Sequence, residues 1–147
     1  MIYIFKMLDK NRILSKIDEL EGYLNELEKV IPDNFDLYEK SIKDKRACER
    51  ILQISVETII DICNILISNL KLGLPSEEEE IFKKLKQRGI ISKELEKILL
   101  GMKGLRNILV HKYGDVDNEI VYEILTEKLN DFEKFKIEIL KFLKTEK

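Results

Sequence analysis

Apolar side chains return every three or four residues along nearly the whole of this chain, and that rhythm confines it to helices. Ile13, Ile17, Leu20, Leu24, Leu27 and Ile31 alternate between spacings of four and three, which draws one apolar stripe down an amphipathic helix. Pro32-Asp33-Asn34 ends it. A second and longest helix is expected from about Leu37 to Leu70, and its later half is apolar on almost every side: Ile51, Leu52, Ile54, Val56, Ile59, Ile60, Ile62, Ile65 and Leu66. A helix apolar all round belongs at the centre of a fold. Gly73 and Pro75 close it. Ser76 with Glu79 reads as a capping box, and Glu77 to Glu80 place negative charge at the positive end of a short third helix that stops at Gly89. Ser92 caps a fourth helix, striped by Leu95, Ile98, Leu99, Met102, Leu105 and Leu109 and ended by Gly114. Asp117 caps a last long helix, striped by Val121, Ile124, Leu125, Phe132, Phe135, Ile139 and Phe142.

No strand-like alternation, internal repeat or linker interrupts this pattern. The expected fold class is all-α: an antiparallel bundle of four main helices plus one short helix, forming a single domain over residues 1–147. A chain of that length buries roughly 70% of the surface it exposes when unfolded, so it needs no disulfide or metal staple. Six glycines and two prolines fit long helices with few turns.

Charge limits the partners. With 26 basic against 28 acidic residues the net charge is −2, whereas a general nucleic-acid binder carries a basic excess to neutralise phosphates. DNA is therefore not expected as a partner, and any RNA contact must come from a local patch. The two cysteines, Cys48 and Cys63, form no CxxC pair and read as free thiols in a reducing compartment. Met1 to Leu8 is too short for a signal sequence. Gln53, Glu57, Asp61 and Asn64 interrupt the most apolar run, which makes a membrane span too costly. A cytoplasmic protein is expected.

The fourth helix carries two faces. At about 100° per residue, Arg106 and Tyr113 project within roughly 20° of each other, near the middle of the apolar stripe. An arginine there must pair with a buried carboxylate or open onto a cleft. Glu57 and Asp61, one turn apart inside the apolar second helix, are the expected partners. His111 lies roughly 140° around from Arg106 and shares its side with Asn107, Gly104 and Ile108, with Gly101 beside them. A glycine inside a helix costs up to about 1 kcal/mol relative to alanine, a cost commonly tolerated where another backbone or a ligand comes close. The second face is expected to meet another helix, its own copy across a two-fold axis, so that the chain dimerises through this helix.

His111 is the one histidine of the chain. Two readings fit it: a helix-end group that complements the dipole, or a general acid–base, because imidazole titrates near neutral pH. Cleaving RNA without metal needs a base for the 2′-hydroxyl, an acid for the leaving 5′-oxygen and a cation for the phosphorane. Two histidines and two arginines of a symmetric dimer supply that set. No cysteine or acidic cluster supports the histidine as a zinc site, and no glycine-rich phosphate loop exists, so neither metal nor cofactor is expected. Lys103, Arg106 and Lys112, with Arg46 and Arg50 on the second helix, offer a local basic patch for RNA. Surface charge paired to nearby glutamates explains Arg46 and Arg50 equally well. Tyr113, two residues after the histidine and beside Gly114, is placed to expose its hydroxyl.

The run Arg106-Asn107-Ile108-Leu109-Val110-His111-Lys112-Tyr113 resembles the Arg-x4-His-x-Tyr motif of the HepT-like branch of the HEPN superfamily, and Asn107 after the arginine fits the wider superfamily pattern. Chain length, helix order, the acidic central helix around Glu57 and the Tyr113-Gly114-Asp115-Val116-Asp117 exit extend the likeness from about Asn11 to Leu140. The resemblance implies a helical homodimer with its active site at the dimer interface. It implies the toxin of a toxin–antitoxin pair, a metal-independent endoribonuclease with Arg106 and His111 in the catalytic positions. It also implies a partner: a minimal nucleotidyltransferase antitoxin that transfers AMP from ATP to Tyr113. The alternatives are a non-catalytic helical partner or nucleotide-binding subunit of such a nucleotidyltransferase, and a purely structural bundle.

Overall fold

The computed structural model describes residues 8–111 and 116–146. Seven helices occur among the described residues: α1 (Lys10–Val30), α2 (Phe35–Lys40), α3 (Ile42–Asn69), α4 (Glu78–Gln87), α5 (Lys93–His111), α6 (Asn118–Glu127) and α7 (Asn130–Thr145). The all-helical expectation holds.

The periodic stripes bury as their spacing requires. Ile13, Ile17, Leu20, Leu24 and Leu27 of α1 are buried, and the Asp9 carboxylate accepts the Arg12 N–H at 3.1 Å to cap the helix. Burying each such side chain contributes roughly 1.5–3 kcal/mol, against about 1 kcal/mol for the cap, so packing and not capping holds α1 in place. Helix α3 is the centre: it packs against α1, α2, α4 and α5. By length and composition it is apolar enough to cross a membrane, but 61% of its most apolar window is buried inside the fold. Buried side chains from all seven helices join one apolar cluster. The buried Lys136 of α7 bonds Glu21 of α1 and, at 3.1 Å, Glu133.

Two expected long helices are each divided. The chain leaves helical geometry at Ser41 (φ −100°, ψ 102°), where the Ser41 hydroxyl accepts the Asp44 N–H at 3.1 Å and starts α3. Asn34 likewise caps α2 by accepting the Leu37 N–H at 2.9 Å. The last helix breaks at Lys128 and Leu129, where tight i→i+3 bonds run from Asp131 N–H to Lys128 C=O (3.0 Å) and from Phe132 N–H to Leu129 C=O (3.1 Å). Asp117 caps α6 as its sequence position suggests, accepting from the Glu119 and Ile120 N–H groups.

The capping box at Ser76 and Glu79 does not form. Helix α4 begins at Glu78 from an extended Glu77, and Ser76 instead gives both its N–H and its hydroxyl to Glu80, each at 3.2 Å. Glu78 and Glu79 are thereby left for other partners. Gly89 ends the α4 turn at φ +81°, a conformation that favours glycine.

Candidate active site

Helix α5 carries the candidate residues Arg106, Asn107 and His111, and its start is fixed by one serine. The Ser92 hydroxyl accepts the Leu95 N–H at 3.0 Å as the expected cap. The same serine donates its hydroxyl (2.8 Å) and its N–H (2.7 Å) to the Glu138 carboxylate, tying the beginning of α5 to α7. Leu95, Leu99, Met102 and Leu109 are buried on the core side, and α5 packs on α3, α4 and α7.

Arg106 emerges from the edge of that core, its side chain only 14% exposed. A guanidinium so far from water needs a carboxylate, and it has one. The partner is Glu78 at the start of α4, which bonds Nη2 of Arg106, while Nε donates to the Asn107 side-chain oxygen at 2.9 Å. This corrects the expectation that Glu57 or Asp61 would serve. Glu57 accepts from Gln53 at 3.2 Å within α3, and the exposed Asp61 lies 3.7 Å from Lys16 of α1. A second link repeats the first one turn earlier on α5: Lys103 pairs with Glu79 at 3.3 Å. The Glu79 carboxyl is held below its usual range by its hydrogen bond with Glu77 and by Lys103, and Glu77 is raised by that same hydrogen bond with Glu79. Sequence reasoning missed both acidic partners. The signal was present in the run Glu77 to Glu80, which carries more carboxylate than a helix dipole needs.

His111 is exposed, on a face of α5 that it shares with Gly101, Gly104 and Ile108, all exposed as well. A Cβ added at either glycine would meet nothing within 4 Å among the described residues, so no close approach by any of these accounts for them. Lys112 and Tyr113 lie outside the described residues. On α3, Arg46 is engaged by the buried Glu49 at 3.2 Å, as the surface-pair reading allowed, and Arg50 is exposed.

The two thiols are poor nucleophiles. Burial is the main cause that pushes Cys48 up to about 11, and burial also raises Cys63, so both stay protonated near neutral pH. Among the described residues no three His, Cys, Asp or Glu side chains are grouped to hold a metal ion. What the site offers is one exposed imidazole, five residues from a guanidinium oriented by a carboxylate and an amide.

Comparison with known proteins finds relatives over most of the chain. The family described as ribonuclease HepT-like matches residues 20–139. A tRNA nuclease HepT from Aphanizomenon flos-aquae is 31% identical over 133 residues, covering 90% of each chain. An mRNA nuclease HepT from Shewanella oneidensis is 30% identical over 135 residues, covering 88% of this chain and 96% of the relative. Among solved structures, the tri-AMPylated Shewanella oneidensis HEPN toxin in complex with an MNT antitoxin superposes with a TM-score of 0.82 at 30% identity, covering 92% of this chain and 99% of that one.

Proposed function

Because this chain belongs to the HepT-like ribonuclease family, we propose that its 147 residues form one domain acting as the toxin of a toxin–antitoxin pair, an endoribonuclease working in the cytoplasm. The observation that carries the mechanism is the exposure of His111 on the glycine-flanked face of α5, five residues from the oriented Arg106. Two copies related by a two-fold axis through that face bring two imidazoles and two guanidinium groups into one cleft. One neutral imidazole takes the proton of the ribose 2′-hydroxyl as its oxygen attacks phosphorus. The P–O5′ bond breaks, and the second imidazole, protonated, gives its proton to the leaving 5′-oxygen. A 2′,3′-cyclic phosphate and a 5′-hydroxyl result, and no metal is required. Arg106 stabilises the charge that builds on the phosphorane oxygens. Asn107 supports Arg106, and Lys103, Lys112, Arg46 and Arg50 are the cations available to the RNA backbone.

The test is cleavage of unfractionated transfer RNA. His111→Ala is expected to abolish it and to relieve growth arrest while leaving the helical content unchanged. A His111→Ala protein that cuts as fast as the parent rejects the catalytic assignment.

A nucleotidyltransferase antitoxin is the proposed partner, supported by the solved complex of the similar toxin. The hydroxyl oxygen of Tyr113 attacks the α-phosphorus of ATP, pyrophosphate leaves, and the tyrosine carries AMP. Phosphate charge and bulk then compete with RNA beside Arg106 and His111. Intact-mass measurement after co-expression with the neighbouring nucleotidyltransferase frame should show added adenylate units on this chain, and Tyr113→Phe should show none. Equal modification of Tyr113→Phe would place the acceptor elsewhere.

A further inference from the structure

We propose that Glu78 of α4 is a positioning residue for catalysis: it fixes the Arg106 guanidinium so that its remaining N–H edge meets the scissile phosphate. The inference rests on the reading that Arg106 touches that phosphate.

The donors of Arg106 can be counted. A guanidinium has five N–H groups in a planar fork. Nε–H goes to Asn107 and one Nη2–H to Glu78. The second Nη2–H and the two Nη1–H groups are engaged by no described residue. With Asn107 and Glu78 on the Nε–Nη2 side of the fork, the remaining Nη2–H and one Nη1–H are the pair of parallel donors with which an arginine grips two phosphate oxygens, and the other Nη1–H points back toward the side-chain stem. The two acceptors therefore do different work from neutralisation. They hold the fork against rotation and leave that pair of donors without a partner among the described residues.

The carboxylate stands on a braced support. Glu80 is turned back onto Ser76 by two bonds of 3.2 Å, and Glu79 pairs with Lys103 at 3.3 Å. The first turn of α4 is thus fastened to its own entry loop and at two points to α5. Buried Ile81, Phe82 and Leu85 hold the rest of α4 in the core. A carboxylate beside a phosphate-binding arginine weakens its long-range pull on RNA. Its compensating value is a guanidinium already oriented when the transition-state charge develops. The effect should therefore fall on kcat and leave KM nearly unchanged.

The experiment measures kcat and KM for the full-length protein on unfractionated transfer RNA. Groups that orient functional side chains typically cost 10- to 100-fold when removed, so Glu78→Ala should lower kcat by roughly that factor. Glu78→Gln, which accepts the same N–H at the same reach, should recover most of the rate. Adding Glu78→Ala to Arg106→Ala should cause no further loss, because the two residues act as one unit. Glu94→Ala, which removes an exposed ion pair between α5 and Lys134 of α7, should match the parent. If Glu78→Ala fails to fold, Glu78→Asp keeps the charge but withdraws the carboxylate, and should show the same loss in kcat. A folded Glu78→Ala or Glu78→Asp that cuts as fast as the parent, or faster, while Arg106→Ala is inactive overturns the positioning role alone. Parent-like cleavage by Arg106→Ala overturns the reading beneath it.

Discussion

Tyr38 and Tyr122 sit 5.2 Å apart between ring centroids, yet their hydroxyls have opposite fortunes. Tyr122 donates to the Pro32 carbonyl at 2.8 Å, closing the seam between α6 and the loop before α2. The Tyr38 hydroxyl is fully buried and has no hydrogen-bond partner among the described residues. Burial, with Cys48 and Glu49 close by, raises its pKa well above the usual phenol value, so the orphaned group keeps its proton. Leaving a polar group buried and unpaired costs about 1–3 kcal/mol, whereas a satisfied hydrogen bond contributes about 1 kcal/mol net. Tyr122→Phe should therefore destabilise the protein by about 1 kcal/mol. Tyr38→Phe should be neutral or stabilising. For a domain near 150 residues, 1 kcal/mol moves the thermal midpoint by about 2–4 °C, within reach of a melting curve. Equal losses for both variants would mean that the Tyr38 hydroxyl holds a bond after all.

At the level of elements, the sequence disclosed which stretches are helical but not where they break. Apolar spacing reports burial averaged over several turns, and a break depends on the φ and ψ of one or two residues. Ser41 interrupts a stretch with no glycine or proline nearby, so the stripe reads straight through it. Lys128 and Leu129 are silent for the same reason, although the gap between Leu125 and Phe132 was a faint sign. Chemical anomalies were more legible than boundaries. An arginine on an apolar stripe, a lone histidine and two glycines inside a helix each violate a local preference, and all four stand on α5 as expected. The partner of Arg106 was not legible. Glu57 and Asp61 stand out in the sequence because they lie in an apolar helix, but an ion pair is set by tertiary approach, and Glu78 arrives from 28 residues away along the chain. Periodicity has no access to that distance.

At the scale of the whole molecule, the two glycines become a test of assembly. Gly101, Gly104, Ile108 and His111 fall within about 80° of arc on α5. Ile108 is 57% exposed, and Leu100 beside that arc is 38% exposed. An added Cβ at Gly104 meets open space among the described residues. Leucine is a far better helix former than glycine, by up to about 1 kcal/mol, so Gly104→Leu should leave the protomer as stable as before or more so. If copies meet through this face at close range, the same side chain intrudes on the partner. Overpacking a fitted contact costs about 1–3 kcal/mol, and each 1.4 kcal/mol is tenfold in affinity. Gly104→Leu should thus weaken dimerisation roughly tenfold or more in sedimentation experiments and lower RNA cleavage in step. The two effects separate by concentration, since a subunit's own stability does not depend on it and a dimer's does. The variant's melting midpoint at high dilution should equal or exceed the parent's, and its advantage should vanish or reverse as concentration rises. A Gly104→Leu protein that stays dimeric and cuts at the parent rate would reject this face as the contact between copies.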